Sequence, residues 1–273
     1  MNRFKIIFGY ILGIITSILL SLLAILIIFK FTVFKKEYVY SVLDKTNYYN
    51  EVYENALIEM KDYMTSSGLE EEILNDLFTI DEVKDDVNKY FDYYYKGKVY
   101  NKDLSLMKEK LSNNIDTYLK NNNIDVTNRN ELNSFINDIT DIYNKEIMLY
   151  NVPNKIINPF IKISNLINKL IVILSIIIII FSLILIVFKT KYISSVIMSS
   201  GLIIFFIRFL ILEKIDIKNI ILITEYASKV IIKVLLNILE LLLRCSIYMI
   251  LIGLVICLIE SIVNNKKRKK GVN

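Results

Sequence analysis

The chain has 273 residues, of which 54% are hydrophobic, and it carries a formal net charge of +5. It contains no histidine, so the side chain that most often serves as a general acid-base or metal ligand near neutral pH is missing. The weak positive charge does not indicate nucleic-acid binding, because the basic residues are concentrated beside apolar segments and suit anionic lipid head groups.

The first apolar segment covers residues 6–29. About 20 apolar residues in a helix are enough to cross the hydrocarbon core of a bilayer. The segment is longer than the apolar part of a usual secretory signal peptide, and no A-x-A-like cleavage site follows it. We therefore interpret residues 1–30 as a cytoplasmic end followed by an uncleaved signal anchor.

Small residues recur every four positions along one face of this segment. They are Gly9, Gly13, Ser17 and Ser21. Small side chains let helices approach closely in lipid, so this face predicts helix packing. We favour contact with the chain's own other spans, for which Ser194, Ser195, Ser199, Ser200 and Gly201 offer a partner surface. The alternative is a dimer interface.

Residues 31–165 are predicted to form an extracytoplasmic helical bundle. Apolar residues recur there at three-to-four spacing in several stretches, which Gly68 and Gly97 interrupt. Thr79 and Glu82 have the spacing of a capping box. About 16 Lys and Arg against about 23 Asp and Glu give this region a charge of about −7. It holds no cysteine, so the bundle must fold without disulfides.

Tyrosines are concentrated around Gly97. Tyr93, Tyr95 and Tyr100 fall outside the apolar stripes that are predicted to form the core. Tyrosine offers a large contact area at low entropic cost, so these three residues are a candidate partner surface. Packing within the bundle is the default interpretation.

Two more apolar segments follow, and the only prolines, Pro153 and Pro159, mark the passage into the first of them. We assign residues 166–191 to the second transmembrane helix and a cytoplasmic turn, and residues 192–212 to the third transmembrane helix. Residues 213–243 are predicted to be an outer loop and an amphipathic helix.

That amphipathic helix carries a polar stripe. Its members, spaced by three or four residues, are Lys229, Lys233, Asn237, Glu240 and Arg244, and Arg208 in the third span could approach them. We favour a helix at the outer surface of the membrane, with its charges in water. One alternative is a polar track that lines a pathway, because ionisable groups in lipid are costly and usually functional. The other alternative is packing of the stripe against the bundle. Glu240 and Arg244 would pair in every case.

The fourth transmembrane helix is predicted over residues 244–263, before a basic tail at 264–273. Basic residues near short loops stay in the cytoplasm. Such residues precede the first span, form the turn at Lys189 and Lys191, and fill the tail, whereas Lys30, Lys35 and Lys36 weigh mildly against this orientation. Four crossings then place both termini in the cytoplasm. The abundance of Lys, Asn and Ile suggests a bacterial cell membrane.

No pattern indicates catalysis. Both cysteines, Cys245 and Cys257, lie in the last span, and no Walker, serine-hydrolase or dinucleotide fingerprint occurs. We predict an all-α polytopic membrane protein that is not an enzyme and has no cofactor or metal. Its expected partners are the lipid bilayer and an envelope protein or a second copy, not nucleic acid. The favoured function is an interaction or assembly module that presents the bundle to an envelope partner. The alternative is a small oligomeric channel or transport component that uses Arg208 and the polar stripe.

Overall fold

The computed structural model describes residues 3–124, 129–148, 154–188, 191–222 and 224–270, so Pro153 and Lys189 lie outside the described residues. All regular structure in the described ranges is helical, as the sequence predicts. The α-helices are α1 (Arg3–Phe31), α2 (Lys36–Lys45), α3 (Tyr48–Ser66), α4 (Ile80–Tyr95), α5 (Ser105–Asn121), α6 (Arg129–Ile147), α7 (Asn154–Phe188), α8 (Lys191–Lys214) and α9 (Glu225–Lys270). Short 3-10 turns cover Glu71–Leu74 and Ile217–Asn219.

Four of these helices contain stretches that are long and apolar enough to cross a membrane. The stretches are Ile7–Phe31, Asn158–Val187, Ile193–Lys214 and Glu225–Val263. Most of their large apolar side chains are exposed on the surface of the chain, which is the arrangement that a lipid solvent favours. The predicted four apolar helices of a multi-pass membrane protein are therefore present.

The chain divides into two compact units. The span unit consists of Met1–Tyr38, Ile163–Ile220 and Ile231–Asn273. The bundle unit consists of Val39–Lys162 and Ile221–Val230, so it is assembled from two separate stretches of the chain.

Helices of the span unit alternate in direction. α1 and α8 run parallel, α7 runs antiparallel to α1, and α9 runs antiparallel to α8. The pairs Gly13–Val196 and Ser21–Ser200 give the direction of α8 relative to α1, and the pairs Gly201–Ile250 and Gly253–Met198 give that of α9 relative to α8. For α7, Leu12 and Leu185 share one apolar cluster, while Phe31 and Ile167 line one cavity at the other end of α1. This is the up-down order that four successive membrane crossings require.

The bundle unit has a continuous apolar core. The apolar stripes predicted from the sequence supply that core, and its most deeply buried members include Val52, Met60, Val83, Val87, Leu111, Ile115, Ile139 and Ile147. Each helix alone would leave its apolar stripe in water, so packing the stripes together is what stabilises the helices.

Helix boundaries in the bundle unit follow local signals in the sequence. The predicted capping box is confirmed: the Thr79 backbone N–H donates to the Glu82 carboxylate, and the Glu82 N–H donates to the Thr79 hydroxyl. Gly68 and Gly97 have φ angles of +72° and +69°, a left-handed conformation that favours glycine and ends the preceding helix. Both predicted stops are therefore confirmed.

α9 is a single helix of 46 residues, about 69 Å long at 1.5 Å per residue. The sequence predicts an amphipathic helix that ends near residue 243 and a separate span that begins at residue 244, but the backbone is helical without interruption across that position. α7 likewise continues through Pro159. Pro159 has no backbone N–H and so removes one helical hydrogen bond, but it lies near the start of α7 and the helix continues beyond it. The change from polar to apolar composition near residue 244 involves no proline or glycine, and α9 continues through it.

Candidate functional site

The small-residue face of α1 lies against α8. Gly9, Gly13, Ser17 and Ser21 are all buried. The Ser21 hydroxyl lies 2.8 Å from the Ser17 carbonyl oxygen and 3.1 Å from the Ser200 carbonyl oxygen of α8, and its single proton is shared between these two acceptors. Ser200 returns a hydrogen bond from its hydroxyl to the Ser17 carbonyl, also at 3.1 Å. Reciprocal bonds of this kind join the two helices where no water competes for the polar groups.

α8 and α9 approach each other even more closely, at two glycines. A Cβ added to Gly201 would lie 2.8 Å from the Ser246 carbonyl oxygen, and one added to Gly253 would lie 3.0 Å from the Ser194 carbonyl oxygen. The sequence predicts Gly201 to be part of a surface for α1, and Gly253 belongs to none of the predicted small-residue faces. The two glycines lie on different helices, so no spacing within one segment of the sequence indicates their shared interface.

The polar stripe of α9 is divided between the two units. Lys229 belongs to the bundle unit, where its ammonium group lies 2.9 Å from the Glu51 carboxylate and 3.1 Å from the Glu225 carboxylate. The ammonium group is thus engaged by carboxylates of its own unit.

The rest of the stripe lies in the span unit. Lys233, Glu240 and Arg244 are exposed and Asn237 is half-buried. Arg244 pairs with Glu240 one turn before it, as their spacing predicts. The opposite face of α9 is apolar and packs inside the unit, with Ile238, Leu239 and Leu242 buried against Ile204 and Ile217. The polar stripe therefore faces outward from this set of four helices.

Arg208 approaches α9, but it bonds to the backbone. Its Nε donates to the Leu239 carbonyl oxygen at 3.1 Å. This bond ties α8 to α9 through the backbone of Leu239, whose side chain lies on the buried apolar face of α9. A charged donor to a carbonyl is among the stronger hydrogen bonds in a protein interior.

The three candidate tyrosines differ in exposure. Tyr93 is 40% exposed and its ring lies 5.4 Å from that of Tyr100. Tyr100 is half-buried, and its hydroxyl lies 3.4 Å from Asp86. Tyr95 packs edge-to-face on Phe160 of α7, with ring centroids 5.3 Å apart. Of the three, Tyr93 presents the largest fraction of its side chain to solvent.

A buried carboxylate that sequence analysis did not single out joins three parts of the bundle unit. Asp86 of α4 is 2% exposed, and its carboxylate lies 2.6 Å from the Lys102 ammonium group and 2.8 Å from the Tyr143 hydroxyl of α6. Burial and the neighbouring Asp86 charge raise the pKa of Tyr143 well above its usual value. The phenol of Tyr143 therefore stays neutral and can donate its hydrogen bond to Asp86. The contacts of Asp86 with Lys102 and Tyr143 thus serve to hold the bundle together.

A second buried carboxylate holds the segment before the fourth span. Glu146 of α6 is 1% exposed and accepts a hydrogen bond from the Tyr226 hydroxyl at the start of α9. Tyr226 also packs edge-to-face on Tyr48, with ring centroids 5.3 Å apart. Both acids lie on apolar stripes, and sequence periodicity alone does not distinguish a buried acid from an exposed one.

Across the described residues, no group of three or more Cys, Asp or Glu side chains is arranged to hold a metal ion. Comparisons of the chain with protein-family models, curated proteins and solved structures found no match. Its function is therefore argued from its own residues.

Proposed function

We propose that the chain is a non-enzymatic multi-pass protein of a bacterial cell membrane, with both termini in the cytoplasm and the bundle unit on the outside. Its function is to present that bundle to an envelope protein, or to hold a membrane complex together. The observation that carries this proposal is the apolar core of the bundle unit, which lets this part of the chain fold as a compact unit of its own. Tyr93, at 40% exposed, is one side chain that the bundle could offer to a partner.

Orientation rests on two supporting features. Basic clusters occur at the start of the chain, near Lys191 and in the tail, and residues of this kind stay in the cytoplasm. The alternating directions of the four long helices support an arrangement in which these three clusters share the cytoplasmic side. In this proposal residues 31–165 and the loop that precedes α9 are outside.

The orientation is tested by thiol labelling in intact cells, after Cys245 and Cys257 are replaced by serine. We expect a single cysteine at Tyr93 to react with a membrane-impermeant reagent without permeabilisation. A single cysteine at Lys267 should react only after the cells are opened. Reactivity in the opposite order contradicts the proposed orientation.

The interaction function is tested by photo-crosslinking. A photoreactive amino acid at Tyr93, which is 40% exposed on the bundle, is expected to yield a discrete protein adduct in intact cells. The same amino acid at Ile176, a 54% exposed side chain of the second span, is the control and should give no discrete protein adduct. Failure of Tyr93 and of further exposed bundle positions to give any adduct contradicts the proposed function.

The second candidate function is a channel or transport component. Because the polar stripe faces outward, a pathway that it lines would lie between copies of the chain and not inside one copy. Lys233, Glu240 and Arg244 face away from the four packed helices, so a lined pathway needs a second copy of the chain. Charges that face lipid are costly, which favours either such a partner or a position in the membrane interface.

A cysteine scan along the stripe separates the two functions. Labelling that continues past Tyr248, with a preference for one reagent charge, supports a water-filled pathway. In that case Lys233→Glu or Arg244→Glu alters ion selectivity. Labelling that stops near Arg244 and ignores reagent charge supports the interaction module, and the same substitutions leave permeability unchanged.

A further inference from the structure

The end of the first span and the beginning of the second enclose a cavity in the span unit. The cavity has a volume of about 180 Å³. Its lining combines two basic, two polar and three apolar side chains: Lys30, Lys35, Ser164, Asn168, Phe31, Phe34 and Ile167. A protein cavity of about 150 Å³ is large enough to take up benzene, so this one has room for a compact chemical group.

We propose that this cavity binds the phosphate group of an anionic phospholipid. Lys30 and Lys35 supply two ammonium groups, which bind phosphate as point charges. Ser164 and Asn168 supply a hydroxyl and an amide, which donate hydrogen bonds to phosphate oxygens. This proposal rests on residence of the chain in a membrane and is independent of the interaction function.

The charge balance of the cavity calls for an external anion. Neither Lys30 nor Lys35 forms an ion pair with a carboxylate of the described residues, and no acidic side chain lines the cavity. Lys30 lies in the last turn of α1, where a cation suits the helix dipole. Lys35 directly precedes α2, and a cation at a helix N-terminus is unfavourable. A bound phosphate offsets that repulsion.

The apolar wall and the position of the cavity match a lipid better than a free anion. Lys30 lies at the end of the stretch Ile7–Phe31, which can cross a membrane. The end of a span lies at the same depth as the phosphate groups of the lipids. Ile163 and Leu166 of α7 are 49% and 54% exposed beside Ser164, and they offer a surface to acyl chains.

The proposed site also explains the basic residues that oppose the sequence-based orientation. Lys30 and Lys35 follow the first span on the side that we assign to the outside, where basic residues are less frequent. A requirement to bind lipid phosphate accounts for their presence there without a change in orientation.

The experiment measures thermal unfolding of the purified full chain in a neutral detergent. Dihexanoyl phosphatidylglycerol, dihexanoyl phosphatidylcholine and inorganic phosphate are titrated separately. We expect the phosphatidylglycerol to stabilise the parent protein, and the double variant Lys30→Gln/Lys35→Gln to raise its half-saturating concentration about 10- to 100-fold, because two charge-assisted bonds are lost. Lys30→Arg/Lys35→Arg keeps the charges and should retain the stabilisation.

The matched control is Lys214→Gln/Lys218→Gln, which removes two exposed lysines of the same unit that do not line the cavity. It should leave the half-saturating concentration unchanged. Ser164→Leu fills the cavity without altering charge and should reproduce the loss, which keeps the test decisive if the glutamine variant does not fold.

Two results overturn the proposal. One is an equal response of the cavity variant and the control variant to phosphatidylglycerol. The other is equal stabilisation by inorganic phosphate, which assigns the cavity to a free anion. Stronger stabilisation by phosphatidylglycerol than by phosphatidylcholine supports the proposal, because the choline cation of the latter is repelled by two lysines. None of these outcomes depends on a protein partner of the bundle.

Discussion

The same substitution, glycine to alanine, is expected to have opposite effects at Gly201 and Gly13. At Gly13 the added Cβ would lie 3.6 Å from a Val196 methyl carbon, which is ordinary van der Waals contact. At Gly201 it would lie 2.8 Å from the Ser246 carbonyl oxygen and 3.1 Å from the Ile250 nitrogen. Backbone atoms cannot rotate away as a side chain can, so α8 and α9 must separate.

The magnitude follows from these distances. Ordinary contact begins at 3.4 Å, so α8 and α9 must move apart by about 0.6 Å in Gly201→Ala. A separation of that size loses roughly a quarter to a half of the dispersion energy at each affected contact. Overpacking of this kind costs about 1–3 kcal/mol. In a helix, alanine is more favourable than glycine by about 1 kcal/mol. Both variants gain this amount, so it cancels when their stabilities are compared.

We therefore expect Gly201→Ala to be less stable than Gly13→Ala by about 1–3 kcal/mol. Unfolding of the full chain is followed in mixed micelles by titration with a denaturing detergent. Modification of Cys245, a half-buried thiol of α9, reports separation of the helices. Equal stability of the two variants, or greater stability of Gly201→Ala, refutes the close approach of α8 to α9 on which the reasoning depends.

Three further predictions concern the bundle unit. Asp86→Asn leaves the Lys102 ammonium group without its anion and should cost about 2–3 kcal/mol of stability, measured by thermal unfolding. Tyr226→Phe removes the donor to Glu146 and should cost about 1–3 kcal/mol, with faster hydrogen exchange in residues 224–230. Burial raises the pKa of Tyr90 to about 12. The unfolded chain then loses this proton at lower pH than the folded chain does, so stability should fall as pH rises from about 10 to 12.

Each of the three predictions has a matched control. Asp85→Asn changes the exposed neighbour of Asp86 and should alter stability by less than about 1 kcal/mol. Tyr248→Phe changes an exposed tyrosine of the same helix as Tyr226 and should not alter exchange near residue 224. Tyr90→Phe should lessen the alkaline loss of stability. If variant and control behave alike in the first two cases, the assigned role of Asp86 or Tyr226 is contradicted. The role of Tyr90 is contradicted if the loss of stability with rising pH is the same in Tyr90→Phe as in the parent protein.

The sequence by itself determined the helices and their chemical environment. Long apolar segments require a lipid-like solvent, and three-to-four spacing of apolar residues specifies which face of each bundle helix is buried. The capping box at Thr79 and the stops at Gly68 and Gly97 were equally predictable. These features depend on residues within a turn or two of each other, so the local sequence contains the information that they need.

Tertiary structure alone decided which helices meet and which polar groups become buried. Gly201 and Gly253 matter because α8 and α9 cross at those positions, and Lys229 joins the bundle because Glu51, far away in sequence, lies beside it. Asp86 lies on an apolar stripe, but the local sequence does not show whether an acid at that position is buried or which groups pair with it. Its burial depends on Lys102 and Tyr143, which other elements of the bundle bring beside it. Pairings between residues so far apart in sequence arise from packing, and the periodicity within one helix does not specify them.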